Sequence, residues 1–376
     1  MTSTGPLHGV KVLEVGGIGP NPFAAMLLAD MGADVLRLDR LGEAAMFPPK
    51  FDVTKRGRAA VAVDLRKDAG KALVLDLAAS ADALIEGFRP GVMERLGLGP
   101  AEVHAHNPRL VYGRMTGYGQ EGPLAQVAGH DINYISVAGA LGAMQRSGER
   151  PLAPLNLVGD YGGGAMFLAF GVVCGLLEAR TSGQGQTVDA AMVDGASLLT
   201  SLMHGLSAAG AWNAAKPGTN LLDSGAHFYE TYATSDGGHI AVGAIEPQFY
   251  ARLLELLGLT AEEVPQFDPS RWQELKGTFA AVFATKTRDE WAAILEGEEA
   301  CATPVLNLGE AAGHHHMQAR GSFVEVDGMV QPAPAPRFDR TPGAARAART
   351  DGDVVLRDWG VGDEAQAALR EAGALG

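Results

Sequence analysis

The chain has 376 residues, of which 47% are hydrophobic and 20% are charged, and its net charge is −14. This composition is typical of a soluble globular protein, and the length predicts two domains rather than a single core. So acidic a chain is a poor binder of nucleic acid. The charge is uneven, because residues 1–115 hold 14 Lys and Arg against 13 Asp and Glu, whereas the rest of the chain holds 16 against 31. The first third could therefore still receive a small polyanion.

Cysteine content and terminal sequences predict a cytoplasmic protein. Cys174 and Cys301 are too few for a disulfide framework, which favours a reducing compartment. The first residues lack the pattern of a signal peptide, and the last six, EAGALG, carry no peroxisomal signal. The apolar run 165–177 has thirteen residues, fewer than the roughly 20 of a membrane span. We therefore predict a buried helix there, and no membrane.

The first third of the chain alternates between strand and helix patterns. Residues 10–40 predict strand, turn, helix and strand. The segments that follow are a strand at 61–66, a helix at 68–81, a strand at 82–88, a helix at 92–98, and a strand with its loop at 110–119. This alternation predicts an α/β fold, in which a large domain is built on a parallel, doubly wound sheet.

After Gly129 the pattern becomes more helical. We predict buried helices at 133–144 and 161–179, a strand followed by a helix at 187–206, a β-hairpin at 227–245, a helix at 247–259 and an extended Pro- and Ala-rich segment at 331–350. The predicted domain limits are 1–205 for the large domain, 206–225 for a linker, 226–328 for a smaller α+β domain, and 329–376 for a return linker with a C-terminal helix that packs back on the large domain.

The segment GGIGPNP at 16–22 lies between a predicted strand and helix, as a dinucleotide-binding loop would. Pro20 and Pro22 remove backbone N–H groups where that loop donates to a pyrophosphate. A stiff turn is therefore the favoured interpretation. The cationic side chains after the strands are better candidates for phosphate: RLDR, DLRK and EGFRP all follow predicted parallel strands, whose carboxyl ends meet at one rim. Scattered solvated charge explains any one of these residues, but explains the recurrence less well.

Three further positions are candidates for chemistry. His130, in GHDINYI, is a catalytic base, a metal ligand or a core histidine satisfied by Asp131. Asp160 precedes three glycines, Gly162–Gly164, whose backbone N–H groups could stabilise an oxyanion if a helix begins there, although an Asp at a helix start is usually only a cap. Glu246 lies between a predicted strand and a helix, where it could orient a histidine. The run His314–His316 lacks a matching ligand set, so we predict an exposed loop and no metal.

Several motifs in order resemble the α-methylacyl-CoA racemases of the class III CoA-transferase superfamily. They are the segment from GPLHGVKVLEVGG to RLDR, FRPGVMERLGLGP, MTGYGQEGP, AGHDINYIS, PLNLVGDYGGGAMFL, GQGQTVDAAMVDG and VGAIEPQFY. The resemblance covers nearly the whole chain and thins after about residue 345. In it, GHDINY together with NLVGDYGGG is specific to the racemase branch, because the transferases share the aspartate region but not the histidine.

The resemblance assigns roles residue by residue. His130 and Asp160 resemble the catalytic acid/base pair, and Glu246 resembles the carboxylate that orients the histidine. The positions that resemble the CoA-binding residues are Arg40, Val63, Asp64, Leu65, Arg66, Gly87, Phe88, Arg89, Arg95, Gly129, Asp131, Ile132, Asn133 and Tyr134. No separate cofactor is implied, because CoA is part of the substrate. The implied assembly is an interlocked homodimer in which Glu246 comes from the partner chain.

The implied activity is an isomerase that interconverts (2R)- and (2S)-2-methylacyl-CoA through an enolate. Met144, Met166 and Met192 are candidates for contact with the acyl chain. The alternative enzyme is a class III CoA-transferase with Asp160 as nucleophile; this chain has AIEPQFY where the transferases have a glycine-rich loop, which argues against transfer. A non-catalytic acyl-CoA-binding protein is a third possibility, but it would need none of His130, Asp160 and Glu246.

Overall fold

The computed structural model describes residues 5–42, 51–349 and 351–376. The strands, numbered in chain order, are β1 Lys11–Val15, β2 Asp34–Arg40, β3 Ala59–Val63, β4 Ala83–Glu86, β5 Val111–Thr116, β6 Thr187–Ala191, β7 Tyr229–Ala233, β8 His239–Gly243, β9 Ala302–Pro304, β10 Phe323–Val326 and β11 Met329–Pro332. Their positions confirm the predicted strands near 10–40, 61–66, 82–88 and 110–119 to within a few residues.

The helices, numbered in the same way, are α1 Pro20–Asp30, α2 Asp68–Ser80, α3 Val92–Arg95, α4 Pro100–His106, α5 Asp131–Val137, α6 Ala140–Ala143, α7 Met166–Ser182, α8 Met192–Leu199, α9 Ser201–Ala208, α10 Pro247–Leu257, α11 Trp272–Phe283, α12 Arg288–Leu295, α13 Leu308–Ala311, α14 His315–Ala319, α15 Gly352–Asp358 and α16 Asp363–Glu371. A short 3₁₀ turn spans Val53–Lys55, and a π-helical segment, Leu157–Ala165, leads directly into α7.

The described residues form two compact units. One comprises residues 1–138, 154–199 and 315–376, and the other comprises residues 139–153 and 200–314. The first unit is built on a six-stranded sheet in the order β3-β2-β1-β4-β5-β6, in which every pairing is parallel. The predicted α/β fold with a parallel sheet is thus confirmed. The domain limits proposed from the sequence stay predictions.

Alternate side chains of each strand enter opposite cores, as the two-residue period of a strand requires. On one face Leu13, Leu36 and Leu84 pack with α2, α4 and α15. On the other face Val12 and Val35 pack with α1 and α7. Helices therefore cover both faces of the sheet, which explains why apolar side chains of its strands are buried on both sides.

The helix formed by the π-helical segment and α7 runs over 26 residues, Leu157–Ser182, and is long and apolar enough to cross a membrane by length and composition alone. The apolar run itself is shorter than a membrane span, but the helix that contains it is longer, because the helix begins eight residues before the run. Leu168 and Val172 pack against the sheet, as in a core helix. The prediction of a buried helix is confirmed only for the face of α7 that packs against the sheet. Phe170 and Leu177, also in α7, are 67% and 69% exposed.

The predicted buried helix at 133–144 was wrong in two respects. The segment forms two short helices, α5 and α6, separated by Gly139 in the left-handed conformation. Ile132 and Val137 of α5 are exposed. The Pro- and Ala-rich segment 333–348 is extended, as predicted, and its backbone is anchored within the first unit, for example through Ala344 N to Asp30 O at 2.9 Å.

The second unit contains a three-stranded antiparallel sheet, β7-β8-β9. The predicted hairpin is confirmed: β7 and β8 pair in a register that sets Tyr232 opposite Ile240. Its core is aromatic, and Tyr232 stacks on Phe283 with ring centroids 5.2 Å apart. Glu246 follows β8 and immediately precedes α10, so the predicted strand-to-helix junction is also confirmed.

Candidate active site

The turn between β1 and α1 brings the backbone close to Asp160. Gly17 and Gly19 have φ of 101° and 67°, conformations that favour glycine, and Pro20 begins α1. A β-carbon on Gly19 would lie only 3.2 Å from Asp160 Oδ2. GGIGPNP is therefore the stiff turn that the sequence favoured, and one of its glycines leaves room for the Asp160 carboxyl.

Asp160 lies within the π-helical segment Leu157–Ala165. This position corrects the prediction that the glycines after Asp160 stabilise an oxyanion. Gly162–Gly164 are inside the helix, so their N–H groups bond to the preceding turn rather than facing a substrate. The glycines instead permit close packing on α8. A β-carbon on Gly163 would lie 2.6 Å from Ala196 N, and one on Gly195 would lie 1.8 Å from Gly163 O.

The carboxylate of Asp131 occupies the amino end of this helix. Asp131 Oδ2 accepts hydrogen bonds from Gly159 N at 2.6 Å and from Asp160 N at 2.7 Å. The Asp131 side chain is 5% exposed, and a β-carbon on Gly159 would lie 2.7 Å from its Oδ2. Asp131 is thus bonded to the helix that carries Asp160, not to His130, and sequence reasoning did not find this contact.

His130 precedes α5 and is exposed. Its backbone N donates to Asn133 Oδ1 at 3.0 Å, and its carbonyl oxygen accepts from Asn133 N at 2.7 Å, which fixes the start of the helix. In the described part of the chain, no hydrogen bond joins the imidazole to Asp131, whose carboxylate bonds to Gly159 N and Asp160 N instead. The interpretation of His130 as a core histidine satisfied by Asp131 was therefore wrong.

The environment of Asp160 favours its protonated form. Burial raises the pKa of Asp160, and the neighbouring Asp131 carboxylate raises it further. A hydrogen bond from Asn156 Nδ2 at 3.4 Å and the electrostatic effect of His130 act in the opposite direction. A half-buried carboxyl of this kind can hold and release a proton, as a general acid/base must.

The arginines of the first third divide into a buried and an exposed set. Arg37 and Arg58 pair with Glu14, and Arg56 pairs with Asp30; these three arginines are at most 9% exposed. They stabilise the interior and are not available to a ligand. The prediction that the cations of the RLDR segment could receive phosphate was therefore wrong for Arg37.

Arg40, Arg89 and Arg95 are exposed, and none of these three has an ion pair or side-chain hydrogen bond within the described ranges. Arg40 ends β2, and Arg89 follows the end of β4 by three residues. Since β1 pairs in parallel with both β2 and β4, Arg40 and Arg89 lie at the same rim of the sheet.

The other predicted CoA-binding positions belong to three segments of the first unit. Val63 ends β3, Leu65 is half-buried, and Arg66 is exposed and pairs with Asp64 at 2.8 Å. Gly87 and Phe88 follow β4, and Phe88 N donates to Glu86 Oε2 at 2.7 Å.

Within the third segment, Tyr134 is buried and donates its hydroxyl hydrogen to Gly129 O, whereas Ile132 and Asn133 are exposed. Burial raises the pKa of Tyr134 to about 12, and Arg89 opposes this shift. Arg89 therefore lies near the Gly129–Tyr134 segment.

Glu246 belongs to the second unit and is exposed at the start of α10, where its carbonyl oxygen accepts from Tyr250 N at 3.0 Å. Cys301 lies near it: burial raises the pKa of the Cys301 thiol, and the Glu246 carboxylate adds to that shift. In the same unit His314 is half-buried and its Nε2 lies 2.7 Å from Glu296 Oε1. The prediction that His314 belongs to an exposed loop was wrong, because an acidic residue distant in sequence packs beside it.

The fold, the parallel sheet and these motifs define the class to which the chain belongs. The model of CoA-transferase family III matches residues 7–350, and the chain is a member of this family. It is 46% identical to the α-methylacyl-CoA racemase of Mus musculus over 367 residues, which cover 95% of this chain and 94% of the relative. It is 45% identical to the racemase of Homo sapiens, over 89% of this chain and 87% of the relative.

A solved structure agrees with the fold. The chain resembles a CAIB/BAIF family protein from Brucella suis with a TM-score of 0.80 and 23% sequence identity, over 95% of this chain and 100% of that chain. The family model and the two relatives confirm the predicted family, and the names of the relatives favour the racemase prediction over the transferase alternative.

Proposed function

We propose that the protein is an α-methylacyl-CoA racemase, an isomerase that exchanges the configuration of the carbon next to a thioester. One observation carries the proposal most directly: the first unit brings together an exposed imidazole, His130, and a half-buried carboxyl, Asp160, whose pKa is raised. Two acid/base groups with different protonation states are what a 1,1-proton transfer requires.

The chemistry follows from the acidity of the substrate. The α-proton of an acyl thioester is weakly acidic, and its removal places negative charge on the thioester oxygen. Neutral His130 takes the proton from one face, and protonated Asp160 returns a proton to the other face; the opposite enantiomer uses the two groups in reversed roles.

The polyanionic end of CoA is assigned to the exposed arginines Arg40, Arg89 and Arg95, because they have no partner in the described residues and so can pair with phosphate. The acyl chain is assigned to Met166, which follows the π-helical segment and is 51% exposed. Met192 is 6% exposed and packs beneath Gly164, so it is no longer a candidate for that contact.

A homodimer is part of the proposal. Phe170, Val173 and Leu177 follow one another at helical spacing along α7, and each is at least 40% exposed. A second copy of this chain is the proposed cover for this apolar stripe. In that assembly Glu246 of the partner would orient His130. The cytoplasmic location remains a prediction from the sequence.

The alternative, a CoA-transferase with Asp160 as nucleophile, requires an ionised carboxylate. Burial and the Asp131 carboxylate raise the pKa of Asp160, which suits a group that both holds and releases a proton.

One incubation tests the proposal. The protein is given a single enantiomer of a 2-methylacyl-CoA in deuterated water, together with a free carboxylic acid. We expect deuterium at the α-carbon and formation of the other enantiomer. Transfer of CoA to the free acid without deuterium uptake would establish the transferase instead, and neither reaction would be seen with a binding protein.

A further inference from the structure

We infer that Asp131 is the positioning residue of the proton relay: its carboxylate holds the backbone of Asp160 in place, and its negative charge opposes ionisation of the Asp160 carboxyl. The inference rests on the proposed function, in which Asp160 exchanges protons with the substrate. It gives the Asp131 side chain a role other than the CoA contact that the resemblance implies for this position.

The geometry supports the positioning role first. A single oxygen, Oδ2 of Asp131, accepts from the backbone N–H groups of Gly159 and Asp160, so it fixes the peptide from which the Asp160 side chain projects. Asp131 is also the residue after His130. One short segment at the start of α5 therefore carries one acid/base group and holds the backbone of the other.

The other carboxylate oxygen of Asp131, Oδ1, indicates that the negative charge of this side chain has a function. Asp131 Oδ1 is buried and has no hydrogen-bond partner in the part of the chain that the structure describes. Burying a charged oxygen without a partner is unfavourable, and capping a helix needs only a neutral oxygen such as that of Asn or Ser. A cap alone therefore does not explain a buried carboxylate at this position.

The effect of that charge falls on Asp160. The titratable side chains that act on Asp160 electrostatically are Asp131 and His130, and Tyr134 lies near enough for Asp160 to affect it in turn. The turn between β1 and α1 also lies beside the Asp160 carboxyl, but the residue that approaches it is Gly19, which carries no charge. Asp131 is thus the acidic group that opposes ionisation of Asp160.

The test is the pH dependence of kcat/KM for each enantiomer in Asp131→Asn, which keeps an acceptor oxygen and removes the charge. Without the charge Asp160 ionises at lower pH, so we expect the limb controlled by Asp160 to move down by roughly one pH unit for both enantiomers. At pH values above the pKa of Asp160, lowering that pKa by one unit lowers the protonated fraction of Asp160 about tenfold. The reaction slows by the same factor in the direction that uses Asp160 as the acid. Affinity for CoA is expected to stay unchanged.

Two further variants make the result decisive. Asp131→Ser also offers a neutral helix cap and should show the same shift, which covers the case in which the Asn variant does not fold. Asp223→Asn is the matched control, because Asp223 is a buried carboxylate that accepts from Gly218 N at 2.8 Å and Asn220 N at 2.7 Å in the second unit. It should leave the pH profile unmoved.

Loss of rate in Asp131→Asn with an unshifted limb would reduce Asp131 to a structural cap and overturn the inference, while leaving the racemase proposal intact. Weaker CoA binding with an unshifted limb would instead restore its expected contact with CoA. A wild-type protein that incorporates no deuterium would contradict the proposed function itself.

Discussion

Arginines that look alike in the sequence have different positions in the structure. Arg58 is 3% exposed and bonded to Glu14, whereas Arg89 is exposed and has no ion pair among the described residues. Both belong to the cations counted in the first third of the chain, and position along the chain says nothing about which carboxylate lies opposite each of them. The pairing of Arg58 with Glu14 depends on the three-dimensional fold, since the two residues lie 44 positions apart.

The exposed arginines lead to a prediction about CoA affinity. Arg89→Ala should weaken binding of CoA about tenfold, because it removes a charge-assisted contact with phosphate. The matched control is Arg109→Ala: Arg109 is also exposed, but it precedes β5 and so lies at the amino edge of the sheet. Calorimetric titration with CoA measures both variants. Equal losses in the two would show that only overall charge matters.

At the scale of elements, the strand-and-helix pattern of the first unit was predictable because its strands and helices bury apolar residues at their regular periods. The π-helical segment at Leu157–Ala165 was not, because its glycines also suit a helix start. What decides between the two is packing against α8 and α1, including the stacking of Tyr161 on Phe23 with centroids 4.1 Å apart. No local signal in the sequence reports such contacts.

The close packing of α8 on the π-helical segment predicts a strong effect of a single methyl group. Gly195→Ala should lower the free energy of unfolding by about 2 kcal/mol, because its β-carbon would overlap Gly163 O and push the helices apart. Gly205→Ala is the control, since its β-carbon in α9 meets no atom within 4 Å and should stabilise the helix by about 1 kcal/mol. Urea denaturation measures both; a neutral Gly195→Ala would contradict this packing.

At the scale of the whole molecule, the sequence predicted the parallel sheet and the candidate catalytic residues through their order and resemblance. It misjudged the exposure of α7, because a helix buried on every side and a helix that leaves part of its apolar surface exposed can have the same composition. The exposure of Phe170 and Leu177 is visible only in the structure.

The exposed stripe of α7 predicts a dimer that one charge can disrupt. Phe170→Glu should convert the protein to monomers, because a carboxylate would be buried in an apolar interface without a partner. Leu308→Glu is the control, since Leu308 is 91% exposed in the second unit and is not part of the stripe. Analytical ultracentrifugation gives the mass of each. A monomeric wild type, or a dimeric Phe170→Glu, would contradict the proposed assembly.

The central claim is that His130 and Asp160 exchange the α-proton from opposite faces of the substrate. Its most direct test is the incubation of each enantiomer in deuterated water with His130→Ala and with Asp160→Ala, beside the wild type. We expect each variant to bind CoA normally and to lose interconversion of the enantiomers by at least about a thousandfold, since the reaction needs both groups. Interconversion at the wild-type rate in either variant would contradict the account.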